Sequence, residues 1–398
     1  MKRKTFLLFF ALILLMFVTG CWSRRELNDL AIVGAIGIDK VGKTYEVSVQ
    51  LMDPSVVKKP SGGRQPSVMY HARGETVSEA VRRMTTVTPR ELYFSHIRML
   101  ILGEQLAKEG IRDTLDFLSR YYEFRTDFYI AVSKGTTARE VLGILTPLEK
   151  LPANNLFNSL KVSSKTWAPT TTTYLDGLIS DLISEGKHPV LSAIRIRGDQ
   201  EQGARNNNLE KIDSPSNLQY TGIAVFKKDR LLGWLNEEES KGYSYIKDKV
   251  KRTIGVLTCP EEGKISNEVI HSKTEVKGKV NNGHPKIDIH IRIEQNVQDV
   301  ECNVDLTKTE TIAELDKRAN QKIEKFVEQT IESVQNKYKV DIFGFGEVIR
   351  RADPKAWENL KKDWDQHFTD DLQVRVIADI KTRRFGTVSN SFLQNMKE

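Results

Sequence analysis

The sequence predicts a mixed α/β (α+β) protein of several domains, with mixed sheets and packed helices. Three observations carry this. Between residues 31 and 197, stretches of strand character alternate with stretches of helical spacing, the signature of helices packed on a sheet. Residues 286–295 contain Ile287-x-Ile289-x-Ile291-x-Ile293, the period-two pattern of a half-buried strand. Residues 309–338 repeat Ile312, Leu315, Ala319, Ile323, Phe326 (with Val327), Ile331, Val334 and Tyr338 at spacings of three and four. That stripe predicts one helix about 45 Å long. A chain of 398 residues exceeds what one core usually organises, so two or three domains are expected.

The first element is a leader. Lys2, Arg3 and Lys4 precede a continuous apolar run, Phe6 to Val18, and charge resumes at Arg24, Arg25 and Glu26. The run is too short to cross a bilayer core, which takes about 20 residues, and has the layout of an export signal. Its end, Val18-Thr19-Gly20-Cys21, resembles a bacterial lipobox. That resemblance implies cleavage between Gly20 and Cys21, with Cys21 becoming an N-palmitoyl, S-diacylglycerol cysteine. Residues 1–20 are then the signal peptide.

Residues 31–38 and 44–51 read as two strands joined by a hairpin. Across them, Gly37 to Thr44 fits the phosphate-loop pattern G-x-x-x-x-G-K-[ST] letter for letter. That chemistry needs the loop to open a helix whose N–H groups cradle phosphates. The following residues alternate as a strand, so no nucleotide is expected. Residues 58–67 form a loop, and the Ser55-x-x-Lys58 match before it has no S-D-N or K-T-G companion. A short strand at 68–72 precedes a helix at 76–84 with Thr76 and Glu79 as a capping box. Then come a strand at 96–102, a helical region at 103–123, a strand at 127–133 and a short helix at 137–145. Residues 147–173, rich in Asn, Ser, Thr and Pro, read as a long loop with one helical turn. A helix at 174–183 and a strand at 189–197 complete a domain spanning 21–200.

Residues 201–218 are read as a linker, because the stretch from Gly198 to Gly203 and the run Asn206-Asn207-Asn208 contain almost nothing to bury. A middle domain is expected over 219–280. It holds strands at 222–226 and 231–235, a helix at 237–249, and strands at 253–258 and 264–276. The C-terminal domain, 281–398, holds the 286–295 strand and the 309–338 helix. After these come a glycine-punctuated turn at 340–347, a helix opened by Asp353 and Pro354 and a last strand at 374–380.

Formal net charge is +7, and basic residues are interspersed with acids, which is not a nucleic-acid footprint. Apart from Cys21, only Cys259 and Cys302 remain; they either pair or stay as buried thiols. None of the seven histidines sits at metal-ligand spacing with another His or Cys. No G-x-S-x-G or G-x-G-x-x-G occurs. No catalytic residue, metal or cofactor is expected beyond lipid on Cys21.

Several motifs together resemble the Ger(x)C family of spore germination lipoproteins, the C subunits of nutrient germinant receptors. They are Cys21-Trp22-Ser23-x-x-Glu26-Leu27 and Gly37-Ile38-Asp39; His96-x-x-Met99-Leu100-Ile101-Leu102-Gly103-Glu104; and Phe117-Leu118-x-Arg120 with Glu123-x-Arg125. Further on come Gly222-x-Ala224-Val225-Phe226-Lys227 and Leu231-x-Gly233-Trp234-Leu235. Last is Asp341-x-Phe343-Gly344-x-Gly346 with Pro354-x-x-Trp357 and Trp364. The family often has Asp where this chain has Ser23. The resemblance implies a multi-domain α/β body of unusual topology without enzymatic activity. It implies a lipid anchor in the outer face of the spore inner membrane, and assembly with integral membrane A and B subunits. Two other readings stay open from sequence: a solute-binding lipoprotein of an importer, with the 201–218 linker between its lobes, and a tethered cell-wall enzyme.

Overall fold

The computed structural model describes residues 29–52, 66–259, 262–302 and 304–384, with positions 3 and 5 besides. Gly20, Cys21 and the Ser55–Lys58 match lie outside the described residues.

β1 (Leu30–Val41) and β2 (Thr44–Met52) form the expected hairpin, with Val41 paired to Thr44. Gly42 takes φ +59 at the tip, which a tight two-residue turn demands and glycine adopts freely. β3 (Ser67–Gly74) extends the sheet antiparallel to β2. Helix α1 (Val77–Arg83) follows; Thr76 Oγ1 accepts from Glu79 N, while the Glu79 carboxylate reaches Glu75 N. A short β4 (Glu91–Tyr93) lies parallel to the start of β1. β5 (Met99–Leu102) is parallel to β1 further along. The helical region at 103–123 is two helices, α2 (Glu104–Glu109) and α3 (Arg112–Arg120). They are separated at Gly110, whose φ of 137° no helix can hold.

β6 (Tyr129–Ser133) joins parallel to β5, and α4 (Ala138–Gly143) follows it. The next segment corrects the expected loop: α5 (Pro152–Thr166) is a 15-residue helix. Its Asn and Ser residues are weak helix formers. However, Pro152 stands at N1, and Ala153, Leu156 and Leu160 bury a stripe against the sheet, which outweighs propensity. After α6 (Leu175–Ile183), β7 (Val190–Gly198) pairs parallel to β6.

Residues 201–218 run between neighbouring strands of one sheet. They join β7 to its antiparallel neighbour β8 (Ser216–Lys227), which pairs in turn with β9 (Arg230–Leu235). The polar residues supply this connection's own bonds. Asn208 is fully buried; its side chain donates to Leu145 O and accepts from Ser216 N. The resulting sheet has the order β3-β2-β1-β5-β6-β7-β8-β9, with β4 beside β1. Its parallel centre is covered on both faces, and all four residues of β5 are buried, as expected of parallel strands.

Helix α7 (Glu237–Ile246) leads to a second sheet of order β10-β11-β12-β13. It contains β10 (Thr253–Thr258), β11 (Lys264–Asn281) and β12 (His284–Val300). The boundary expected at 280/281 cuts through the β11–β12 hairpin, whose turn residues Asn282 and Gly283 have φ of 49° and 83°. Asn-Gly is the strongest hairpin signal a sequence offers. Cys259 and Cys302 form a disulfide, with Cα atoms 6.4 Å apart. Ile287, Ile289, Ile291 and Ile293 are buried in one cluster with Ala319, Val327, Ile331 and Val334 of α8 (Thr309–Lys337), the long helix, which ends within one residue of expectation. Helices α9 (Phe345–Ala352) and α10 (Pro354–Leu360) lead through further helical turns to β13 (Gln373–Arg384), parallel to β12.

The long helix also closes an edge. Asp316, Asn320 and Glu324, spaced by four, accept from the alternate N–H groups of Thr382, Ile380 and Ala378. An open strand edge is a template for unwanted pairing; here side chains occupy it. One core runs between the sheets. Val190, Ile223 and Val225 of the first pack in the same cluster as Ile289 and Val376 of the second and Ile331 of α8.

Candidate functional site

Cys21, the one site residue expected from sequence, lies outside the described residues. Among the described residues, the sequence motifs converge instead on two buried carboxylates.

The first is Asp39, 3% exposed, at the end of the β1 segment Gly37-Ile38-Asp39. Its carboxylate accepts from Ala138 N (2.8 Å) and Arg139 N (3.0 Å), the opening N–H groups of α4. These have no partner inside the helix. Gly103 presses on the other side: a Cβ there would lie 2.0 Å from Asp39 Oδ1. Gly37 is needed for close packing too, since its Cβ would meet Leu142 and Ala138 at 3.0–3.1 Å. The Gly37-Ile38-Asp39 and Leu102-Gly103-Glu104 motifs are thus two sides of one contact. The phosphate-loop pattern across Gly37 to Thr44 lies wholly on the β1–β2 hairpin, where ladder pairing occupies its backbone. Burial pushes Asp39 above the ordinary carboxylate value, against the two backbone bonds.

Glu140, in the same helix, shows the opposite balance. Burial pushes its carboxyl up, but bonds from the Thr136 hydroxyl, Thr137 N and Gln200 outweigh it and hold the group at about 2. Its folded value is depressed below 4.5, so its contribution is present above pH 4.5 and is lost as pH falls toward 2. We expect urea-unfolding curves of Glu140→Gln to depend less on pH across that window than the wild type. Parallel pH profiles would sink the assignment.

The second carboxylate is Asp341, fully buried at the start of Asp341-x-Phe343-Gly344-x-Gly346. It accepts from the N–H groups of Phe343 (2.9 Å), Gly344 (2.8 Å) and Gly346 (2.8 Å), and from Trp364 Nε1 (3.0 Å). Gly344 has φ +77. A Cβ on Gly346 would meet Trp364 Nε1 at 2.7 Å and Gly186 at 2.6 Å. Burial pushes Asp341 up, opposed by the bonds from Gly346 N, Trp364 Nε1 and Gly344 N and by the charge of Lys247. Tyr338 similarly fills the space that Gly233 leaves, and its hydroxyl donates to Trp234 O.

One His–Asp pair deserves a chemical test. His188 Nε2 lies 3.0 Å from Asp365 Oδ1, and Lys227 bonds the other oxygen. His188 Nδ1 accepts from Lys228 N at 3.1 Å. With both ring nitrogens engaged, the imidazole has no lone pair left for a general base. No group of three or more potential metal ligands occurs among the described residues. Nor is any described helix long and apolar enough to cross a membrane.

Two family models match consecutive parts of the chain. The spore germination protein N-terminal domain covers 23–196, and the spore germination B3/GerAC-like C-terminal region covers 221–386. Spore germination protein KC of Bacillus subtilis is 31% identical over the full length of both chains. The chain belongs to the Ger(x)C family of spore germination proteins. Spore germination protein B3 of the same organism is 24% identical, covering 94% of this chain and 96% of its own. The crystal structure of the GerBC protein superposes with a TM-score of 0.53 at 17% identity, over 87% of this chain and 96% of that one. This likeness is one of fold. The two matched family regions meet near residues 197–220, yet β8 and β9 of the second region complete the first region's sheet.

Proposed function

We propose that this protein is the lipid-anchored, non-enzymatic C subunit of a spore nutrient germinant receptor. It would work beside integral membrane A and B subunits on the outer face of the spore inner membrane. The observation that carries the reading is the end-to-end match to spore germination protein KC. The leader supports the anchor: an apolar run too short to span, ending in Gly20-Cys21. One acyl chain holds a protein only marginally, whereas a diacylglyceryl cysteine brings enough buried CH₂ groups for stable residence. The motif carboxylates support a non-catalytic body, because they are consumed by N–H groups of the fold. The importer reading loses its argument, since the supposed inter-lobe linker joins neighbours within one sheet.

We expect Cys21→Ala to lose acyl label and to move from the membrane to the soluble fraction of spores lacking A and B. Retention there without label would sink the anchor. Co-purification from detergent-solubilised spore membranes tests the assembly: absence of A and B from the purified complex would count against it.

A further inference from the structure

A cavity of about 480 Å³ opens where the two family regions meet. Tyr174, Asp181 and Lys187 of the first region line it, with Tyr243, Lys247 and Lys249 of the second. The size falls in the range of small-molecule sites. Three ammonium groups reach it, Lys187 from one segment and Lys247 and Lys249 from another. Lys187 is paired with Asp181 at 2.5 Å. Lys247 donates to Phe343 O at 2.7 Å, and Lys249 to Thr171 Oγ1 at 2.5 Å. Among the described residues, neither Lys247 nor Lys249 has a carboxylate within the 4.0 Å of an ion pair. Burial and the mutual repulsion of the lysines oppose their charge, and Asp181, with Asp341 and Glu347 for Lys247, offsets this only through space. Burial first, then Lys247 and Lys187, lower Lys249 to about 8 against the pull of Asp181. Asp127 and Asp176 also line the cavity; Asp127 is paired with Arg125.

We propose that this cavity binds a small anion, a carboxylate or phosphate, between the ammonium groups of Lys247 and Lys249. Such an anion supplies a counter-charge at direct ion-pair distance. It also reaches the Asp341 loop, because Lys247 holds the carbonyl of Phe343 inside that loop. Occupancy therefore tightens the junction between the two family regions.

The test uses the full chain purified in detergent. It is titrated separately with inorganic phosphate and with citrate at constant ionic strength, by calorimetry and by melting temperature, with chloride as control. Saturable binding of at least one probe and a rise in melting temperature are expected. Response to phosphate alone assigns a phosphate ligand, and response to citrate alone a carboxylate. Lys247→Met and Lys249→Met should each weaken binding tenfold or more, whereas Lys161→Met, exposed on α5, should not. Without anion, Lys249→Met should melt no lower than wild type, since a repelled charge is removed. The proposal is overturned if neither probe binds saturably, if binding survives both lysine variants, or if Lys249→Met lowers the melting temperature.

Discussion

Asp341→Ala should strongly destabilise the second sheet and the helices around it. The carboxylate is the shared acceptor for three backbone N–H groups and the Trp364 indole. Alanine leaves all four donors buried and unpaired, and each orphan costs about 1–3 kcal/mol. Even if relaxation and water recover half, the loss is about 4 kcal/mol, against a total stability of about 5–15 kcal/mol for a domain. Asp341→Asn should fall between, because its one carbonyl oxygen can serve only part of the set while its NH₂ faces donors. Denaturant midpoints of the purified chain, with steady-state levels in spores, measure this. A wild-type midpoint in Asp341→Ala would show that the four bonds contribute nothing net.

Gly242→Ala should loosen the packing of α7 on the long helix. A Cβ at 242 would lie 2.0 Å from Thr330 Oγ1 and 2.7 Å from Thr330 Cβ, on a residue only 2% exposed. Overpacking costs about 1–3 kcal/mol or more, while alanine regains about 1 kcal/mol of helix propensity. A net loss of about 2 kcal/mol is expected. The same interface holds Glu239, which caps α7 at Asn236 N and accepts from Ser333 and Lys337 of the long helix. The clash is local, so Thr330→Gly should relieve it despite its own helix cost. In a double-mutant cycle, the pair should be more stable than additivity by about 1 kcal/mol or more. Strict additivity would mean that the two residues do not meet.

Much of the fold could be read from local pattern. The alternating isoleucines of β12 and the three-and-four stripe of α8 lie where periodicity puts them, because each buries one face and that burial repeats with the element's own geometry. Asp353 caps its helix, accepting from Ala356 N, for reasons contained within four residues. Segments decided by distant partners were not legible. The Asn-rich helix α5 exists because the sheet offers its stripe a surface. Residues 201–218 look like a tether until Asn208 is seen bonding Leu145 and Ser216.

The motif residues divide along the same line. The sequence alone determined the family and supplied the proposed lipid site at Cys21, since these rest on contiguous residues and their order. Only the tertiary structure decided what Asp39, Gly103, Asp341 and Trp364 do. It also decided that Cys259 meets Cys302, and that Lys247 and Lys249 share a cavity with residues near 175. A buried carboxylate takes its meaning from the N–H groups that fill it, and a lysine from the charges around it. Those neighbours lie up to a hundred residues away, beyond the reach of any local pattern.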